Sequence, residues 1–346
     1  MSQKIKAVVW DLDNTLWKGI LSEDKEVYLK ENVRKVMLEL DKRGILQSIC
    51  SKNDYDQAIG KLEELGLNYL FIYPQISWNA KSDGIKTIQE SINIGMDTIA
   101  FIDDQEFERE EVKFKHPEVL CIDAADIDKI LDNDAFNPTH LTEDAKNRRQ
   151  LYQNDIKRNK LKEDFQGTEV EFLQNLDMKF TVDKVGKDDL ARAEELTVRT
   201  HQLNATGVTY SYEELENFSH DDNYLVLIAQ LEDKFGDYGK IGLALIEKSE
   251  KKWTLKLMLM SCRVMSRGVG TVLLNYISQL AVEANVDLYA EFIPTNRNKI
   301  MYITYKFAGY QSDSKNGEIE CLKLNKDKIG KIPDYITLVE GELLNA

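Results

Sequence analysis

Asp11 and Asp13 stand two residues apart at the end of the apolar run Ile5–Trp10. In an extended backbone that spacing puts both carboxylates on one face, where they repel each other unless a cation lies between them. Hard oxygen ligands favour magnesium for that cation. Two more apolar runs end in polar residues: GILQSIC runs into Ser51 and Lys52, and TIAFI runs into Asp103 and Asp104. Between them Lys81 opens a helical pattern after a short loop. A nucleophilic carboxylate, a second carboxylate to carry a proton, a hydroxyl and a lysine for phosphate oxygens, and an acidic pair for a metal are what phosphoryl transfer requires. A single Asp after a strand is often only a turn former or a helix cap, so the weight lies on the whole set.

A second set lies in the other half. The run WTLKLMLMSC passes into RVMSRGVGTVLLNYI, which reads as a strand, a glycine-bearing turn and a helix. Amides at such a helix start can cradle a pyrophosphate, and the helix dipole adds to the attraction. The cysteines Cys50, Cys121, Cys262 and Cys321 lie far apart with no CxxC pair, so neither a zinc site nor a disulfide framework is indicated, and free thiols are expected.

The elements that must position these groups differ between the halves. Up to about residue 122, short β-branched runs (IKAVVW, GILQSIC, YLFIY, TIAFID, EVLCID) alternate with helical patterns, the signature of a parallel sheet with helices on its faces. Such sheets hold ligands at their carboxyl edge, where Asp11, Ser51 and Asp103 fall. A polar stretch then leads into a long charged helix with Thr139 or Thr142 near its start. Beyond Met178 strands follow one another (NYLVLIAQLED, KIGLALIEK, WTLKLMLMSC), which indicates an α+β domain with a largely antiparallel sheet. The expected division is 1–138, a helical connector 139–177, and 178–346.

Composition narrows the function. With 346 residues the chain is long enough for two cores. Sixty acidic side chains against 45 basic ones give a formal charge of −15, which disfavours nucleic acid as a partner. The apolar run at the N-terminus is too short for a signal peptide and no later run reaches a membrane span, so a cytoplasmic protein with no membrane partner is expected.

DLDNTLW, the Ser of ICSKND, Lys81 and Asp103-Asp104 resemble, in order and spacing, the four motifs of the haloacid dehalogenase phosphatase superfamily. The resemblance implies a Rossmann-like domain in which Asp11 is the nucleophile and Asp13 the general acid/base. It also implies that Ser51, Lys52 and Lys81 bind phosphate. Magnesium would be held by Asp11, Asp103 and Asp104, with the backbone carbonyl of Asp13. The stretches 14–50 and 52–80 are too short for the inserted cap usual in that superfamily, leaving a flap (TLWKGILSEDKEVYL) and an open site. The second half resembles the GNAT acyltransferase fold, with Gly268 and Gly270 in the loop that holds a pantetheine carrier, beside Arg263, Val264 and Asn298. Met265 stands where that loop usually has Arg or Gln, and Tyr305 falls where such enzymes often keep a tyrosine acid, or simply packs in the core.

Taken together with THQLNATG and FGDYGKIG, these strings resemble the FkbH family of glyceryl transferase/phosphatases over nearly the whole chain. The family implies a polyketide-type reaction: glycerate is taken from 1,3-bisphosphoglycerate, dephosphorylated, and delivered to the phosphopantetheine of an acyl carrier protein. Cys262 would be the acyl-accepting thiol, activated by Arg263 and the helix-start amides. His201 is a candidate base for it, or a polar substrate contact alongside Gln202 and Asn204; His116, His140 and His220 read as structural. The alternative reading is a magnesium-dependent phosphatase of a phosphoprotein or phospho-sugar whose second domain is non-catalytic or an N-acetyltransferase.

Overall fold

The structure, a computed structural model, describes residues 4–138 and 140–344. It divides into two compact units, Met1–Gln153 and Asn154–Ala346. Thr139, one of the two expected helix-start residues, lies outside the described residues.

The first unit is α/β. Its elements run β1 (Ala7–Trp10), β2 (Trp17–Lys18), β3 (Tyr28–Leu29), α1 (Glu31–Lys42), β4 (Leu46–Ser51), α2 (Tyr55–Glu64), β5 (Gln75–Ile76), α3 (Lys81–Ile92), β6 (Ile99–Asp103), α4 (Glu106–Lys115) and β7 (Leu120–Asp123). Five strands pair in the order β5-β4-β1-β6-β7, all parallel. The β1 residues Ala7 to Trp10 are fully buried, as a central strand covered on both faces must be. Helices α1 and α2 turn Val33, Val36, Met37, Leu40, Ala58 and Leu62 onto the sheet. The run YLFIY does not form the expected strand. Asn68–Leu70 makes a 3-10 turn, Phe71 makes an isolated bridge to Gln47, and the edge strand comes later, at Gln75–Ile76. The polar stretch after β7 also folds onto this unit, because Ile127, Ile130 and Phe136 within it join the core.

The long charged helix is two helices, α5 (Glu143–Lys146) and α6 (Arg148–Glu163). Thr142 caps the first by accepting from the Ala145 amide at 3.0 Å.

The second unit is α+β. It comprises α7 (Glu169–Gln174), β8 (Met178–Lys184), α8 (Leu190–Arg199), α9 (Tyr212–His220), β9 (Tyr224–Asp233), β10 (Gly236–Lys248), β11 (Lys252–Met260), α10 (Val269–Glu283), β12 (Asp287–Phe292), α11 (Lys299–Phe307), β13 (Tyr310–Asn316), β14 (Ile319–Leu324) and β15 (Ile336–Glu340). The eight strands pair as β13-β14-β12-β11-β10-β9-β8-β15. Only β11–β12 and β8–β15 are parallel, so the sheet is largely antiparallel as expected. Helix α10 buries a broad face, Val269 through Ala281, on one side of it. Among the described residues, no helix is long and apolar enough to cross a membrane.

Candidate active site and acyl-transfer loop

The carboxyl ends of β1, β4 and β6 meet at one rim of the parallel sheet. Ser51 Oγ donates to Asp11 Oδ1 at 2.9 Å, and Lys81 Nζ donates to the same oxygen at 2.7 Å and to Asp103 Oδ2 at 2.5 Å. All four side chains are buried. Lys81 reaches this point because α3 starts beside the end of β4. A Cβ at Gly84, in the first turn of α3, would meet Cys50 Sγ at 2.6 Å, so only glycine lets the helix approach that closely. The open N-terminus of α3 is completed from α4, where the Glu111 carboxylate accepts from the Ser82 amide at 3.2 Å and the Ser82 hydroxyl at 2.6 Å.

Electrostatics at this rim are those of an incomplete set. Burial raises the Asp11 carboxyl above its ordinary value, with Lys81 opposing and Asp103 reinforcing the rise. Burial alone would lower Lys81, but Asp11 and Asp103 outweigh it and raise the ammonium. Burial likewise pushes the Cys50 thiol, behind the rim, up to about 12, making it an inert packing group. Asp104 is raised by partial burial and by Asp103. Single carboxylate oxygens of Asp11, Asp103 and Asp104 lie within 4.8 Å of one another. Three acidic groups around one lysine leave negative charge uncompensated, and all-oxygen donors of this kind fit magnesium. Asp104 is not a helix cap: Gln105 holds the N-cap position of α4, and Asp103 Oδ1 accepts the Gln105 amide at 2.8 Å.

Asp13 is placed by the flap. Its Oδ1 accepts from the Trp17 indole at 2.8 Å and the Leu21 amide at 3.1 Å, and its Oδ2 accepts from Asn53 Nδ2 at 3.0 Å. Trp17 sits on the short hairpin in which it faces Leu29 across β2–β3. Neither Trp17 nor Asn53 carries a functional signal in the sequence pattern. Asn53 stands in the quoted ICSKND string, but Trp17 becomes visible only when the flap folds back. Lys52 is paired with Glu108 at 2.7 Å.

In the second unit Cys262 follows β11 and opens a 3-10 turn, Cys262–Arg267, that leads through Gly268 into α10. Cys262 is half-buried against the core. Gly268 has φ +74 and serves as the N-cap of α10, and a Cβ there would sit 3.0 Å from Tyr335 Oη. Gly270 lies in the first turn of α10.

The loop carrying His201 is stitched between β11 and β12. Met260 N donates to Leu203 O, Ala205 N to Met258 O, and Ile293 N to Ala205 O. His201 is exposed just ahead of that stitch. Two expected carrier contacts are placed otherwise. Val264 lies in the core with its amide spent on Ser261 O. Asn298 is fully enclosed and donates through Nδ2 to Asn204 O (3.0 Å), Ala205 O (3.3 Å) and Ile293 O (2.9 Å), so it pins the loop and has no surface to offer a ligand. Asn204 is equally enclosed, its Oδ1 accepting the Thr206 and Gly207 amides. Tyr305 is a core residue whose ring lies 5.3 Å from that of Tyr310; complete burial raises its hydroxyl well above the usual value. Among the other histidines, His116 Nε2 pairs with Ser82 O at 3.0 Å and His220 Nδ1 with Glu216 O at 2.8 Å.

No protein-family model matches the chain, and no curated protein matches it. Solved structures do. One is the N-terminal part of the Bacteroides fragilis protein BF1531, which contains a phosphatase domain and is in complex with Mg: 29% identity, TM-score 0.34, covering 41% of this chain and 42% of that one. Another is the ribosomal-protein-S18-alanine N-acetyltransferase of Escherichia coli, at 16% identity and TM-score 0.34 over 45% of this chain and 97% of that one. A third is the GNAT domain of the S. lividans protein PAT, at 19% identity and TM-score 0.34 over 41% and 88%. The neighbours are phosphatase and acetyltransferase folds. Each likeness is confined to part of the chain, and the functional reading rests on the residues themselves.

Proposed function

We propose that the chain is a glyceryl transferase/phosphatase, as its resemblance to the FkbH family implies. The observation that supports the phosphatase half best is the convergence of Asp11, Ser51, Lys81, Asp103 and Asp104 on one rim, with more carboxylate than the protein itself neutralises.

In the first unit Asp11 attacks the phosphorus of a phosphomonoester, the bond to the leaving oxygen breaks, and Asp13 hands that oxygen a proton. Water then attacks the aspartyl-phosphate, loses its proton to Asp13, and releases phosphate and Asp11. Ser51 and Lys81 orient the nucleophile and hold phosphoryl oxygens. Magnesium would be held by Asp11, Asp103 and Asp104, with the Asp13 carbonyl as the resemblance implies, and would supply charge neutralisation at the transferring group. In the second unit the Cys262 thiolate adds to the acyl carbon of 1,3-bisphosphoglycerate, a carbon–sulfur bond forms, and the C1 phosphate leaves. The thioester then exchanges onto the phosphopantetheine thiol of an acyl carrier protein, with the turn before α10 as the docking place for the arm. Arg263 and the α10 amides are the groups near Cys262 suited to stabilise the oxyanion.

The test is incubation with 1,3-bisphosphoglycerate, magnesium and a candidate carrier protein, followed by intact-mass analysis of both proteins. A glyceryl adduct on Cys262 and on the carrier is expected. Asp11→Asn should keep the adduct in its 3-phosphorylated form, and Cys262→Ala should lose the adduct yet still hydrolyse a generic phosphomonoester. Phosphate release with no adduct on either protein would leave the phosphatase of the alternative reading, with its second domain in another role.

A further inference from the structure

The hydrogen bonds around Asp13 say which of its oxygens can carry a proton. A carboxylate oxygen has two acceptor positions. On Oδ1 both are filled, by the Trp17 indole at 2.8 Å and the Leu21 amide at 3.1 Å. On Oδ2 one is filled, by Asn53 Nδ2 at 3.0 Å. We propose that Trp17 and Asn53 are positioning residues that fix Asp13 so that Oδ2 alone gives and takes the catalytic proton. This rests on the phosphatase reading of the first unit and adds the groups that aim its acid.

Three features make the clamp more than incidental packing. Trp17 is completely buried, and its indole N–H, a donor with no acceptor capacity, is spent on Asp13. Asn53 is 4% exposed and sits between the two catalytic carboxylates: the nitrogen that donates to Asp13 also lies 3.3 Å from Ser51 Oγ, whose own proton goes to Asp11 at 2.9 Å. One amide thus ties the acid to the nucleophile, with a single hydroxyl between them. The third anchor, the Leu21 amide, belongs to the flap, as Trp17 does, so the rotation of the carboxyl plane is tied to the position of the flap.

In the first step the Oδ2–H proton passes to the leaving oxygen as the phosphorus–oxygen bond breaks and the Asp11–phosphorus bond forms. In the second, Oδ2 takes a proton from the attacking water as the Asp11–phosphorus bond breaks. Rotation of the carboxyl group would move the proton away from both events. Loss of the clamp therefore harms a step in proportion to its need for proton transfer, which a general loosening of the fold would not do.

The experiment compares leaving groups. Wild type, Asn53→Ala and Trp17→Phe are assayed with magnesium on 2,4-dinitrophenyl phosphate, whose leaving group needs no proton, and on glycerol phosphate, whose alkoxide does. The phosphoenzyme is followed by acid quench and intact mass. With glycerol phosphate, kcat should fall roughly tenfold to a hundredfold in both variants with KM little changed. With dinitrophenyl phosphate the first turnover should be nearly unchanged while hydrolysis of the phosphoenzyme slows, so that the +80 Da species accumulates. Equal losses on both substrates without that accumulation, in variants that unfold at the wild-type temperature, would overturn the inference and leave the phosphatase standing, as would wild-type kinetics in both variants. A wild-type protein that releases no phosphate from either substrate would take down the phosphatase reading and this inference together.

Discussion

Each unit buries a knot of charge, and the two knots differ in balance. In the first, Asp11 and Asp103 share one lysine, with Asp104 alongside, so carboxylates outnumber cations. In the second, Arg158 donates to both oxygens of Asp233 at 2.9 and 2.8 Å and to Asp155 at 3.0 Å, with Tyr238 Oη also on Asp233 at 2.8 Å. The Tyr238 ring stacks 3.7 Å from the Arg158 guanidinium, and Arg263 and the buried Arg267 add two further positive charges acting on Asp155. Three guanidinium groups there face two carboxylates, so each carboxylate is balanced by a cation of the chain. That balanced knot calls for no further cation and holds α6 to the β9–β10 hairpin. The unbalanced one calls for a cation, and it alone lies at a strand rim suited to chemistry.

Removing the centre of the balanced knot should have the largest effect. Arg158→Met leaves Asp155 and Asp233 buried without their shared partner and should cost the second unit about 3–5 kcal/mol, whether or not magnesium is present. Urea unfolding, with hydrogen exchange of β9 and β10 peptides to localise the loss, checks this. Lys81→Met removes the lysine that Asp11 and Asp103 share. Without magnesium it should cost the first unit about 3 kcal/mol, and unlike the first variant it should regain part of that loss when magnesium is added, because a divalent ion can replace the missing charge. A Lys81→Met protein indifferent to magnesium would erase the distinction between the two knots.

Asp11→Asn is the opposite operation, since it takes a charge away from the side in excess. The apparent Tm of the first unit without magnesium should rise by a few degrees while phosphate release is lost, and the Tm gain from added magnesium should shrink relative to wild type. Differential scanning calorimetry with and without magnesium measures both quantities. A lower Tm in the metal-free variant would mean that Asp11 is held by Ser51 and Lys81 strongly enough to outweigh its burial.

Much of this arrangement is legible in the sequence. Asp11, Ser51 and Asp103 close three β-branched runs, and a parallel sheet brings such ends to one rim whatever its details. The first turn of α3 places Lys81 there too, as its position after the loop indicates. The connections across the flap are not legible. Trp17 is four residues from Asp13 and meets it only once the flap hairpin folds, and Asn53 is forty residues away and meets it from just beyond the end of β4. In the second unit the polar appearance of THQLNATG and NRNK suggested ligand contacts, but Asn204 and Asn298 are spent on backbone groups that hold the loop between β11 and β12. An asparagine that satisfies enclosed carbonyls and one that meets a ligand have the same sequence signature. The run YLFIY misled for a related reason: Leu70, Phe71 and Ile72 are buried as expected, but the backbone turns through a 3-10 segment and the ladder resumes only at Gln75.

The smallest effect is a slope with pH. Burial holds the Asp11 carboxyl up at about 6, against 3.8 for an ordinary aspartate. The folded first unit therefore keeps a proton that the unfolded chain has already lost across this interval. That contribution to stability is fully present below 3.8 and is lost as pH rises through about 6, so metal-free protein should become less stable over that range. Asp104, raised in the same direction, adds to the slope. Magnesium binds the ionised carboxylates and should flatten or invert the trend, and Asp11→Asn should remove the Asp11 part of it without metal. The balanced knot offers no site for the ion, so the stability of the second unit should show the same pH dependence with and without magnesium. Thermal melts from pH 4 to 7, read separately for the two units by hydrogen exchange, decide the matter. A magnesium-sensitive slope in the second unit, or none in the first, would show that charge balance does not separate site from scaffold in this protein.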